Sequence, residues 1–165
     1  NILMTEEGRV KIADFGNSEF KDESSIFGCS RHYLPPEVLK AVKSDDDFVV
    51  DFSIDMWSYG TLLLELFFEK DILEYWHAIF EQMNDPFTHM SEFEEKIEVF
   101  KKSLGFMKRN NPQNSAYELL PLVIRCLDFD PSNRISAADA LVLLKDLLKN
   151  MTELSTGSEI SKTSF

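Results

Sequence analysis

Residues 53–70, SIDMWSYGTLLLELFFEK, are apolar nearly all the way round at helical spacing, and no other stretch limits the fold as much. A helix without a polar face is stable in water only when neighbours cover it on every side. The run is broken by Glu65 and is too short to span a bilayer, so it reads as the buried axis of a globular domain. The rest of the chain must then supply a shell of amphipathic elements. Four stretches carry apolar residues at three- and four-residue spacing: DILEYWHAIFEQM, MSEFEEKIEVFKKSLGFM, SAYELLPLVIRCLDF and SAADALVLLKDLLKNM. In the last of these, Ser136 followed by Asp139 has the pattern of a helix cap.

Upstream of residue 53 the pattern changes. NILM and RVKIADF are short apolar or alternating segments on either side of the turn-like TEEG, which predicts a small two-stranded hairpin. Residues 17–32 are polar without a period and read as a long loop, whereas PPEVLKAV has a proline pair ahead of helix formers. KSDDDF lacks the glycine and glutamate of a calcium loop and reads as a solvated connection. Residues 152–165 have no periodicity. The expectation is one domain over 1–149, mainly α with a minor hairpin, and a disordered tail over 150–165.

Composition closes off several functions. The net charge of -12 makes a nucleic-acid backbone a poor partner, and no stretch resembles a membrane span or a signal peptide. Cys29 and Cys126 have no metal-type spacing and suggest no disulfide framework, which points to an intracellular, reducing compartment. His32, His77 and His89 form no triad or metal pattern along the chain. A start at Asn1 rather than methionine suggests a processed or partial chain.

Five features taken together suggest chemistry. Asp14-Phe15-Gly16 follows the predicted hairpin, and Asn1 stands at the other end of it. Pro35-Pro36-Glu37 follows the polar loop, DMWSYG (Asp55 to Gly60) opens the buried helix, and DPSNRISAADAL places Arg134 before the last long helix. In this order and at these intervals the chain resembles the C-terminal (large) lobe of a eukaryotic protein kinase, from the asparagine that ends the H-R-D-x-x-x-x-N motif to about residue 149. The resemblance implies a kinase-like large lobe with a small β-hairpin, the N-terminal lobe lying outside the sequence.

The resemblance also implies roles for individual residues. Asp14 would be the carboxylate bridging Mg²⁺ to the phosphates of ATP, and Asn1 the amide oxygen on a second metal. Phe15 would pack under a helix of the small lobe, and Gly16 would let the backbone turn into the activation segment. Glu37 and Arg134 would form a buried ion pair anchoring that segment. Asp55 would accept hydrogen bonds from the catalytic-loop backbone, and Trp57 would pack beneath the activation segment. Ser30 stands where Ser/Thr kinases carry a hydroxyl and tyrosine kinases a proline, so a Ser/Thr enzyme with protein substrates is expected. Ser24 and Ser25 fall where activation-loop phosphorylation commonly occurs.

The SRxY run, the closing motif and the long span between Asp55 and Arg134 look like the CMGC group of kinases. Leu34 stands where most members have arginine, Pro35 replaces an alanine, and the usual His-Pro ending near residue 145 is missing. The glycine-rich loop, the phosphate-pairing lysine, its helical glutamate partner and the catalytic aspartate are not among these 165 residues. By itself the chain is expected to be inactive, either as part of a Ser/Thr kinase of the cytoplasm or nucleus or, alternatively, as a pseudokinase-like binding module.

Overall fold

The hairpin forms as β1 (Ile2–Met4) and β2 (Val10–Ile12), antiparallel, with Ile2 opposite Ile12 and Met4 opposite Val10. The structure is a computed structural model that describes residues 1–20, 30–44, 49–81 and 89–160, with backbone alone at 42–44 and 151–160. Gly8 adopts φ 76° in the connecting turn, the left-handed region that glycine enters without steric cost. Thr5 closes the turn by pairing its N–H with Arg9 O at 2.9 Å and accepting from Arg9 N on its hydroxyl at 3.2 Å. Ile2, Leu3, Met4, Val10 and Ile12 are all exposed.

Beyond the hairpin the chain is helical: α1 (Pro36–Ser44), α2 (Ser53–Phe67), α3 (Lys70–Glu81), α4 (Met90–Asn110), α5 (Leu120–Cys126) and α6 (Ala137–Ile160). Short 3-10 turns cover Arg31–Tyr33, Ser115–Leu119 and Pro131–Asn133. α2 is the axis, as its all-round apolarity requires, and packs against α5, α3 and the turns at 31–33 and 131–133. Its burial is not uniform: Met56, Trp57, Gly60, Thr61, Leu63 and Leu64 are buried, while Leu66 and Phe67 at its C-terminal end are exposed.

Aromatic residues from three shell elements meet on this axis. Trp76 of α3 lies 5.9 Å from the Trp57 ring and 5.1 Å from both Phe80 and Phe100, in the tilted and edge-on geometries that aromatic pairs favour. Phe93 of α4 continues the cluster to Phe80 and Phe129.

α2 packs against the end of α5 over Gly60. A Cβ there would lie 2.7 Å from Cys126 Cβ and 3.0 Å from two Leu127 side-chain atoms. Gly60→Ala should gain about 1 kcal/mol of helix propensity. The overpacking should cost ~1–3 kcal/mol and win, because Cys126 Cβ is tied to backbone and cannot swing away. Urea denaturation should show a lower midpoint at unchanged m-value; a midpoint at or above the parent's would contradict this packing.

Two helix boundaries differ from the sequence reading. SAYELLPLVIRCLDF is not one helix: Pro121, with no N–H to give, sits in the first turn of α5, and a 3-10 turn precedes it. The disordered tail expected over 150–165 is replaced as far as Ile160 by continuation of α6, while 161–165 lie outside the described residues. Once a helix is nucleated, each added residue contributes one backbone hydrogen bond, so propagation needs no apolar period. The cap at the start of α6 is as predicted: Ser136 Oγ accepts from Asp139 N at 3.1 Å and donates to Asp139 Oδ2 at 2.8 Å.

Candidate active site

The hairpin register decides where Asn1 and Asp14 lie. With Ile2 opposite Ile12, Asn1 falls opposite Ala13, and Ala13 N donates to Asn1 O at 2.9 Å. Asp14, the next residue, is therefore brought beside Asn1 at the open end of the ladder. Asp14 has φ 63°, the one positive φ among the described non-glycine residues. Left-handed backbone is uncommon outside glycine, and Asn and Asp tolerate it best. Gly16 lies close by: its N–H donates to Asp14 Oδ1 at 3.4 Å, and a Cβ on Gly16 would sit 3.3 Å from that oxygen. Asn1 and Asp14 are both exposed, and Phe15 is 67% exposed. Ser30 is exposed too, its carbonyl accepting from Tyr33 N at 3.0 Å. Ser24, Ser25 and Cys29 lie outside the described residues.

Glu37 and Arg134 meet across 97 residues of chain. Arg134 Nη1 donates to Glu37 Oε1 at 2.5 Å and Nη2 to Oε2 at 2.7 Å, a bidentate fork. Its other donors reach backbone carbonyls: Nε to Asp128 O at 2.8 Å, Nη1 to Ser53 O at 3.2 Å and Nη2 to Phe129 O at 3.4 Å. A guanidinium has five N–H groups, and these bonds use all of them. The same guanidinium carbon lies 5.1 Å from the centroid of the buried Trp57 ring. Arg134 thus ties the start of α1, the start of α2 and the loop before α6 into one junction.

Asp55, at the start of α2, is exposed, yet desolvation by the protein around it pushes its carboxyl up from the ordinary value. Cys126 is fully buried, and burial pushes its thiol up to about 12, which makes it an inert core group.

One grouping has no counterpart in the linear pattern. His32, Glu65 and His77, from the 31–33 turn, α2 and α3, bring their ligand-type atoms within 4.8 Å of one another. The histidines show no metal-type pattern along the chain, whereas the fold brings His32 and His77 together at Glu65. Separations of 33 and 12 residues obey no motif spacing, and the only hint in the sequence is a charged Glu65 inside an apolar helix.

A two-stranded hairpin that sets Asn1 beside Asp14, followed by a mainly helical body closed by a Glu37–Arg134 ion pair, defines the large-lobe architecture of a protein kinase. The protein kinase domain family matches residues 1–143, and the chain belongs to that family. It is similar to the mitogen-activated protein kinase HOG1 of Beauveria bassiana, 30% identical over 154 residues that cover 86% of this chain and 42% of that protein. It is also similar to the serine/threonine-protein kinase dst2 of Dictyostelium discoideum, 28% identical over 144 residues covering 86% of this chain and 11% of that protein. The serine/threonine-protein kinase TAO3 of Rattus norvegicus is 38% identical over 66 residues, 40% of this chain and 7% of that protein. The chain therefore spans about two fifths or less of the length of these relatives. The match to a mitogen-activated protein kinase accords with the CMGC-like features, and no solved structure matches the chain.

Proposed function

We propose that this chain forms the metal-binding and activation-segment portion of a protein serine/threonine kinase, which transfers the γ-phosphate of ATP to Ser or Thr hydroxyls of proteins. The observation that supports the reading is the hairpin register, in which Asn1 pairs with Ala13, the residue before Asp14. Asn1 and Asp14 both offer oxygen donors, the class that Mg²⁺ takes, and both are exposed. Mg²⁺ held there would neutralise charge developing on the transferring phosphoryl group. Gly16 keeps the backbone close under the Asp14 carboxylate, and the left-handed Asp14 backbone aims the turn into the activation segment. The Glu37–Arg134 junction anchors the far end of that segment, with Trp57 beneath Arg134.

Within the same reading, Asp55 receives backbone N–H groups of the catalytic loop, which would offset the desolvation of its carboxylate. Ser30 contacts that loop, Phe15 packs against the small lobe, and Ser24 or Ser25 accepts regulatory phosphate. Protein substrates fit the net charge of -12 better than nucleic acid does. No described helix is long and apolar enough to cross a membrane. An intracellular location, cytoplasm or nucleus, suits a user of ATP.

Phosphate transfer from ATP in the presence of Mg²⁺, measured on the natural protein that carries this chain, tests the proposal. Phosphoserine or phosphothreonine on a protein acceptor is expected, and no transfer by the 165 residues alone, which lack a catalytic aspartate in the required motif. Phosphotyrosine as the sole product would overturn the Ser/Thr assignment. Absence of any transfer would favour a kinase-like binding module.

A further inference from the structure

We infer that His32, Glu65 and His77 form a binding site for a divalent transition-metal ion, with Zn²⁺ the best fit, separate in its residues from the Mg²⁺ ligands proposed above. His32 Nε2 and His77 Nε2 each lie 3.7 Å from the same carboxylate oxygen, Glu65 Oε1. That distance is too long for a hydrogen bond, and His77 Nε2 is buried without a partner. A buried ring nitrogen with nothing to bond is costly, and this one faces a second imidazole and a carboxylate.

Zinc–ligand bonds of about 2.0–2.1 Å in a tetrahedron put neighbouring donor atoms about 3.3 Å apart. Each imidazole nitrogen is within a few tenths of an ångström of that separation from Glu65 Oε1, and all three ligand atoms lie within 4.8 Å of one another, so loading the site needs only side-chain adjustment. Two imidazoles and one carboxylate form a three-ligand set that leaves the fourth position to water. Nitrogen donors favour zinc-like ions over Mg²⁺ and Ca²⁺, which prefer oxygen.

The supporting contacts are already in place. Tyr33 donates its hydroxyl to Glu65 Oε2, which turns Oε1 toward the histidines. Thr61 Oγ1 donates to His32 O at 3.1 Å and Ser58 Oγ to Tyr33 O at 2.9 Å, pinning the 31–33 turn onto α2. Outer contacts of this kind orient ligands in metal sites. A bound ion would therefore brace the segment just before Pro35-Pro36-Glu37 against both α2 and α3.

Zinc titration of the purified protein against a chromophoric chelator, with Co²⁺ as a visible-absorbing substitute, tests this. One equivalent should bind, excess Mg²⁺ should not displace it, and the thermal midpoint should rise with Zn²⁺. His32→Ala, His77→Ala and Glu65→Gln should each weaken binding at least about tenfold, and Tyr33→Phe by about 10–100-fold, the range seen for outer contacts. Far-UV circular dichroism checks that each variant is folded. His89→Ala and Cys29→Ser should bind like the parent. The inference is overturned by absence of stoichiometric zinc, by displacement with Mg²⁺, or by folded His32→Ala and His77→Ala variants that bind normally. Binding lost in Cys29→Ser but kept in His32→Ala would also overturn it.

Discussion

Replacing Asp14 with asparagine should lower ATP-dependent phosphate transfer by about 100- to 1,000-fold or more in the natural protein, while leaving the fold intact. That is the order of effect for removing one preorganised group that stabilises charge in a transition state. Asparagine is the informative substitution because Asp14 sits at φ 63°. It tolerates the left-handed region and keeps an oxygen in place, so the charge is the main thing lost. Alanine would add about 1–2 kcal/mol of backbone strain and blur the result. The Mg²⁺ concentration giving half the maximal rate should rise as well, because an amide oxygen is a weaker ligand than a carboxylate. Normal turnover with unchanged Mg²⁺ dependence would remove Asp14 from the metal site.

The largest loss of stability should come from Arg134→Ala, at about 3–5 kcal/mol, because Glu37 is left as an uncompensated charge in a largely buried junction. The Arg134 side chain is wholly buried and that of Glu37 is 21% exposed, so solvent screens the pair little. Against a total stability of about 5–15 kcal/mol this is a large share. It corresponds to a fall in melting temperature of roughly 6–20 °C for a chain of this size. Replacing a buried pair with apolar residues is often nearly neutral. Here Glu37→Leu combined with Arg134→Met should recover only part of the loss, because the carbonyls of Ser53, Asp128 and Phe129 also lose their donor. Arg134→Lys should fall between parent and alanine, since three donors on one nitrogen cannot reproduce the fork. A melting temperature for Arg134→Ala within a degree or two of the parent's would mean that the junction does not hold the fold together.

Much of the architecture is legible in the sequence because its causes are local. Helical period shows α2, α3, α4 and α6, the alternation around TEEG shows the hairpin, and Ser136 with Asp139 shows the start of α6. Pro121 is visible too, but its apolar neighbours keep helical spacing on both sides, so the period hides the interruption that its missing N–H causes. The end of α6 escapes a reading by period because a stretch without apolar repeat can still continue a helix already formed. The resemblance to a kinase lobe singles out Asn1 and Asp14, and the hairpin between them, whose register follows from its turn, is legible from the alternation around TEEG.

By itself, then, the sequence determined most of the elements, the central place of α2, and the motif order that marks a protein kinase lobe, since each depends on residues near one another along the chain. Only the tertiary structure decided that Gly60 must stay a glycine, that every donor of Arg134 is used, and that His32 and His77 converge on Glu65. These depend on how closely and at what angle helices cross. Periodicity reports which face of a helix is buried, but not which atom of another helix it meets there.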